Sequence, residues 1–86
     1  MSNQNSTVNG RAVARVGAGT FQGVVVNTPA PYGRHSIHDC ADPGQAEIWN
    51  CIWPINLASP DGKTVKNGIV VHTVEPGGNF TVTHSS

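Results

Sequence analysis

KNGIVVHTVEPGGNFTVTHSS, residues 66–86, decides the fold. Its first part holds the β-branched run Ile69-Val70-Val71, a composition that favours a strand over a helix. Its last part alternates, with Phe80, Val82 and His84 facing one way and Thr81, Thr83 and Ser85 the other. Pro76-Gly77-Gly78 lies between them and is a turn signal. The stretch predicts two strands joined by a tight turn, and it leaves little chain for a catalytic apparatus.

Toward the N-terminus the same grammar repeats. GTFQGVVVNTP, residues 19–29, has three consecutive valines bounded by Gly and by Asn-Thr-Pro, which predicts a central strand buried on both faces. RHSIHD, residues 34–39, alternates, placing His35, Ile37 and Asp39 opposite Ser36, His38 and Cys40. Asp42-Pro43-Gly44 is a turn. AEIWNCIWPINL, residues 46–57, predicts a strand with Ile48, Asn50 and Ile52 on one face and Glu47, Trp49, Cys51 and Trp53 on the other, ended by Pro54. SPDGK and Asn67-Gly68 mark further turns. RAVARV, residues 11–16, fits a short strand that pairs with a neighbour, and the polar residues 1–10 resemble a disordered arm.

No helical window emerges, since Leu57 is the single Leu and the chain carries ten Gly and six Pro. The expected class is all-β: a small β-sandwich or jelly-roll-like barrel of about six or seven short strands. Residues 1–16 are expected as an extended arm and residues 17–86 as the sandwich domain.

Composition narrows the partners. A chain of 86 residues buries only roughly 60 to 65% of its unfolded surface, so a thin core of 37% hydrophobic residues points to stability borrowed from subunit contacts. Five basic residues balance five acidic ones with no basic run, which argues against nucleic acid. Charged residues are 12% of the chain, and so little surface charge favours association. No apolar stretch approaches the ~20 residues of a membrane span, and MSNQNSTVNG lacks the features of an export leader, so Cys40 and Cys51 are expected as reduced thiols.

Candidate chemistry is weak by spacing. His38, Cys40 and Cys51, with His72 or His84, are the conceivable zinc set, but none of the paired Cys or His spacings of a metal site is present, so no metal or other cofactor is expected. Cys40 follows His38-Asp39, yet two neighbours on one strand supply neither a cleft nor an oxyanion site. The carboxylates Asp39, Asp42, Glu47, Asp61 and Glu75 read mainly as turn and solubility residues, and no catalytic residue is expected. Interface residues are the better candidates: Arg11, Val13 and Arg15 on the short strand, and the aromatic residues Phe21, Tyr32, Trp49 and Trp53.

Four segments, 19–28, 37–39, 67–73 and 77–84, give a layout that resembles small tailed-bacteriophage virion proteins: a GxxxGVVVNT strand, a short segment ending in Asp, an NGIVV strand, a Gly-rich turn and a closing TVT strand. The resemblance covers residues 17–86 and implies a non-enzymatic subunit that decorates or cements a capsid. It implies the major capsid protein and sibling subunits as partners, a homotrimer first and a dimer second, and a place on the virion exterior after synthesis in the host cytoplasm. His38-Asp39-Cys40 replaces a plain Tyr-Asp-Gly, and residues 46–62 are rich in Trp. Both departures leave a tail or spike component as the alternative, as a small module for glycan through Trp49 and Trp53 or for metal.

Overall fold

The computed structural model describes residues 3–30, 35–54, 62–75 and 77–85. Among the described residues eight strands follow in order: β1 (Gln4–Asn9), β2 (Ala12–Val16), β3 (Gly19–Thr28), β4 (His35–Asp39), β5 (Cys51–Pro54), β6 (Lys63–Val65), β7 (Gly68–Thr73) and β8 (Asn79–Ser85). Two single 3-10 turns, Pro43–Gln45 and Ile48–Asn50, fill the β4–β5 connection. The strands form two four-stranded antiparallel sheets, sheet one in the order β1-β8-β3-β6 and sheet two in the order β2-β7-β4-β5. The all-β expectation holds, and the strand order gives it a definite form.

Four pairings, β1 with β8, β2 with β7, β3 with β6 and β4 with β5, are those of one long hairpin folded at its middle. Rolling that ribbon on itself adds the pairings of β3 with β8 and β4 with β7 and closes the two sheets face to face. This is the jelly-roll arrangement. β7 of sheet two is accordingly followed by β8 of sheet one, where the sequence suggested a simple hairpin.

The register of β8 shows why the sequence folds this way. Phe80, Val82 and His84 point inward, and their partners Val8, Ser6 and Gln4 on β1 share that face. Phe21, Ile37, Val65, Ile69, Val71, Phe80 and Val82 form the fully buried centre of the core. Trp53 closes one side, its ring 5.8 Å from that of Phe21 and tilted 40°. His35 meets Phe80 edge to face at 5.3 Å. Where the chain crosses from β6 to β7, Gly68 sits at φ +146° and a Cβ there would lie 2.8 Å from the carbonyl oxygens of Arg15 and Cys40, so only glycine fits.

Several expectations are corrected. Residues 4–16 are not an arm, because β1 pairs with β8 over six positions and β2 pairs with β7. Gly10 donates its N–H to Gly78 O, and Arg11, at φ 51°, turns the chain from one sheet to the other while its guanidinium donates to the carbonyls of Thr73 and Val74. β3 is interior to its sheet, but only one of its faces is covered, so Val25 is 60% exposed. Phe21 and Trp53 belong to the core and are not contact residues. Tyr32 lies outside the described residues. Among the described residues no helix is long and apolar enough to cross a membrane.

Candidate functional site

Two surfaces collect the polar and exposed groups that the core does not use. The first is the β4–β5 connection. Asp42 caps the first 3-10 turn, its Oδ1 accepting from Gly44 N at 2.7 Å. Gln45 Oε1 accepts from Ala41 N at 3.1 Å. Asn50 then folds the second turn back: its Oδ1 accepts from Glu47 N at 2.9 Å and its Nδ2 donates to Gln45 O at 2.9 Å. These side-chain bonds compete with a sheet ladder and win. Among the described residues 46–54 the expected strand therefore survives as β5 alone, residues 55–57 lying outside the described residues, and Trp49 is turned out to solvent, 84% exposed beside a nearly free Ile48.

The turn is also tied to the sheet beneath it. Asn50 Oδ1 lies 2.8 Å from His38 Nδ1, and since Oδ1 can only accept, Nδ1 carries the proton. On the other side of the ring Ser36 Oγ lies 2.6 Å from His38 Nε2. His38 is buried in this chain of bonds, with the His72 ring edge-on at 5.6 Å. Burial, aided by His38 and Arg11, holds the His72 pKa below the usual histidine value, while Glu47 pulls the other way. A hydroxyl, an imidazole and an amide in series can hold an ordered proton arrangement, and here they fasten the turn to β4.

A concavity opens on each side of this turn. One, of about 370 Å³, is lined by Asp39, Cys40, Gln45, Trp49, Asn50 and Asn67. Asp39 accepts from Asn67 N at 2.9 Å and from Lys66 N at 3.1 Å, so it also anchors the β6–β7 turn. The other, of about 320 Å³, is lined by Ser36, His38, Glu47, Ile48, Cys51 and His72. Cys40 and Cys51 are both free thiols. Burial first, then Asp39 and Asp42, push the Cys40 thiol pKa up against a hydrogen bond to Asp42 O that lowers it. A thiol so held is a poor nucleophile near neutral pH.

The second surface is the outer face of sheet one. Thr83 Oγ1 donates to Asn5 Oδ1 at 2.8 Å, Thr7 and Thr81 hydroxyls meet at 3.1 Å, and Asn79 Nδ2 donates to Asn9 Oδ1 at 2.8 Å. Asn27 Nδ2 reaches both Asn79 Oδ1 at 2.9 Å and Thr81 Oγ1 at 2.8 Å. The result is a ladder of Asn and Thr across β1, β8 and β3, with exposed Val25 beside it and no charge within it. Its side chains are already fixed to one another, so they would lose little rotamer freedom when a partner docks.

The remaining candidate residues fall elsewhere. Arg11 and Arg15 are held by backbone carbonyls, Arg15 donating to Ala18 O at 2.8 and 3.0 Å. Val13 is half-buried beside a register shift in β2 that turns Val16 outward. Among the described residues no three His, Cys, Asp or Glu side chains are placed to hold a metal ion, and His38 and His84 stand on different sheets. Sequence reading singled out Trp49 but missed the Asn/Thr ladder, whose signal was the match in alternation between QNSTVN and NFTVTHS.

Buried His84 gives a pH dependence. Arg15 Nη1 approaches its Nδ1 at 3.4 Å, and Ser6 Oγ lies 2.8 Å from its Nε2. Burial first, and Arg15 second, lower its pKa from the ordinary 6.5, so the unfolded chain binds the proton more readily than the folded one. His72 shifts in the same direction. Stability is therefore full above pH ~6.5 and declines as pH falls below it. Thermal melts between pH 8 and pH 5, round values either side of that pKa, should show the midpoint dropping on acidification, with a shallower drop in His84→Gln; equal slopes would refute the assignment.

No protein-family model, curated protein or solved structure matches the chain.

Proposed function

We propose that this chain is a non-enzymatic virion structural protein, a jelly-roll subunit that decorates or cements a phage capsid from outside. The single observation that carries the reading is the charge-free Asn/Thr ladder on the outer face of sheet one. A flat surface without ionic groups meets no like-charge repulsion when copies pack together, and charges are depleted at the centres of protein interfaces. Jelly rolls occur in viral capsid domains but also in lectins and cupins, so the fold alone does not choose. The resemblance of residues 17–86 to small tailed-phage virion proteins favours the first. On this reading the partners are sibling subunits, as a homotrimer with a dimer next, and the major capsid protein; synthesis is in the host cytoplasm, and neither nucleic acid nor membrane is engaged.

The reading is tested by native mass from light scattering, with and without chelator, on the wild type and on Thr81→Lys. Thr81 is part-exposed at the middle of the ladder, so a lysine there puts charge into the contact while leaving the inward face intact. The expected result is a chelator-insensitive trimer or dimer that Thr81→Lys converts to a folded monomer. A monomer at every concentration would sink the reading.

A further inference from the structure

We propose that the concavity between Trp49 and Asn67 is a binding site for a neutral saccharide. An indole left 84% exposed is unexpected in a chain whose core has so few large side chains. The turn that carries it is fixed, since the hydrogen bonds of Asp42, Gln45 and Asn50 hold the backbone on either side of it. An apolar plate beside a polar hollow matches a pyranose ring, which presents C–H groups on one face and hydroxyls around its edge.

The hollow carries the groups that hydroxyl recognition requires. Asp39 is held in place by two backbone donors, and a carboxylate offers about four acceptor sites, so it retains capacity for a sugar hydroxyl. Gln45 uses its Oε1 on Ala41 N, which fixes the amide and leaves its NH₂ to donate. Asn67 also lines the hollow, its backbone N–H being bound to Asp39. Volume agrees, because about 370 Å³ lies near the lower end of small-ligand sites and admits one or two sugar rings.

Charge selects among sugars. Among the described residues of the lining Asp39 is the carboxylate and no Lys or Arg accompanies it, so acidic sugars such as uronic acids are disfavoured. The site is built on the β4–β5 connection of sheet two, whereas the proposed assembly contact is the outer face of sheet one. A subunit attached through the ladder leaves the hollow open, and the two proposals stand or fall separately.

The experiment is a titration of the full-length protein with glucose, galactose, mannose, N-acetylglucosamine and their disaccharides, read by tryptophan fluorescence and calorimetry. Trp53 is buried, so a spectral change on binding reports Trp49. At least one neutral sugar is expected to bind with a Kd of about 1 mM, the range open to so small a ligand. Trp49→Ala is expected to weaken binding at least tenfold and Asn67→Ala several-fold, both with unchanged melting temperature, while Thr81→Lys leaves binding intact. Galacturonic acid is expected to bind more weakly than galactose. Absence of fluorescence change and heat across the panel, binding undiminished in Trp49→Ala, or preference for the uronic acid would each overturn the proposal.

Discussion

A chain lacking residues 1–10 is expected to lose its cooperative fold. The deletion removes β1, whose six residues pair in register with β8 and whose Val8 covers Phe80 from the sheet edge. His84 loses the Ser6 hydroxyl, and the Asn5, Thr7 and Asn9 ends of the outer ladder vanish. β8 then becomes an edge strand with an exposed row of N–H and C=O groups beside Phe80 and Val82, which invites intermolecular pairing. A domain of this size has a total stability of roughly 4–13 kcal/mol, and each buried polar group left unpaired costs about 1–3 kcal/mol. Far-UV circular dichroism and a thermal melt decide the matter: an unfolded or aggregated product is expected, whereas a truncated chain with the full-length melt would restore residues 1–10 to the status of an arm.

That expectation reverses the one the sequence invites, and the reason is physical. QNSTVN contains one apolar residue, and taken alone it cannot bury enough surface to order itself. It becomes a strand because β8, more than 70 residues away, offers a matching alternation of Val8 opposite Phe80 and Thr7 opposite Thr81. Pairing over that distance leaves no local trace. NFTVTHS, by contrast, was legible because its own alternation separates Phe80, Val82 and His84 from Thr81 and Thr83, and burial follows it.

The same contrast governs the candidate sites. IWNCIW reads as a strand by composition, yet Asn50 spends its side chain on Glu47 N and Gln45 O, and those local bonds remove Ile48 and Trp49 from the sheet. Nothing in residue type separates Trp49, exposed on that turn, from Trp53, buried four residues later against Phe21. Asp39 was read as a strand residue with a turn-stabilising role, and it ends β4 while accepting from the β6–β7 turn, but its place in the hollow depends on Asn67, which the sequence shows only as a turn signal. The sandwich class was legible from strand-length runs and turn residues. Its strand order was not, since six of the seven connections switch sheets and short turns of that kind look the same as hairpins.

Phe80→Ala should be the most damaging single substitution in the described core. Phe80 is fully buried where β8, β1 and β3 meet, paired with Val8 and Val26, and its ring carries the edge of His35 at 5.3 Å. Truncation leaves a void that rigid sheets on both sides cannot close, and such changes cost about 3–5 kcal/mol. His35 Nδ1 is already without a hydrogen-bond partner, so the ring loses its aromatic contact with nothing to replace it. Set against a total of roughly 4–13 kcal/mol, that loss takes between a quarter and all of the stability. Val25→Ala on β3 is the control, because Val25 points outward and its truncation should stay within about 0.5 kcal/mol. Urea unfolding of the three proteins should show a large fall in midpoint for Phe80→Ala at unchanged slope and almost none for Val25→Ala. Comparable falls for both would mean that β3 and β8 do not present the inward and outward faces assigned to them here.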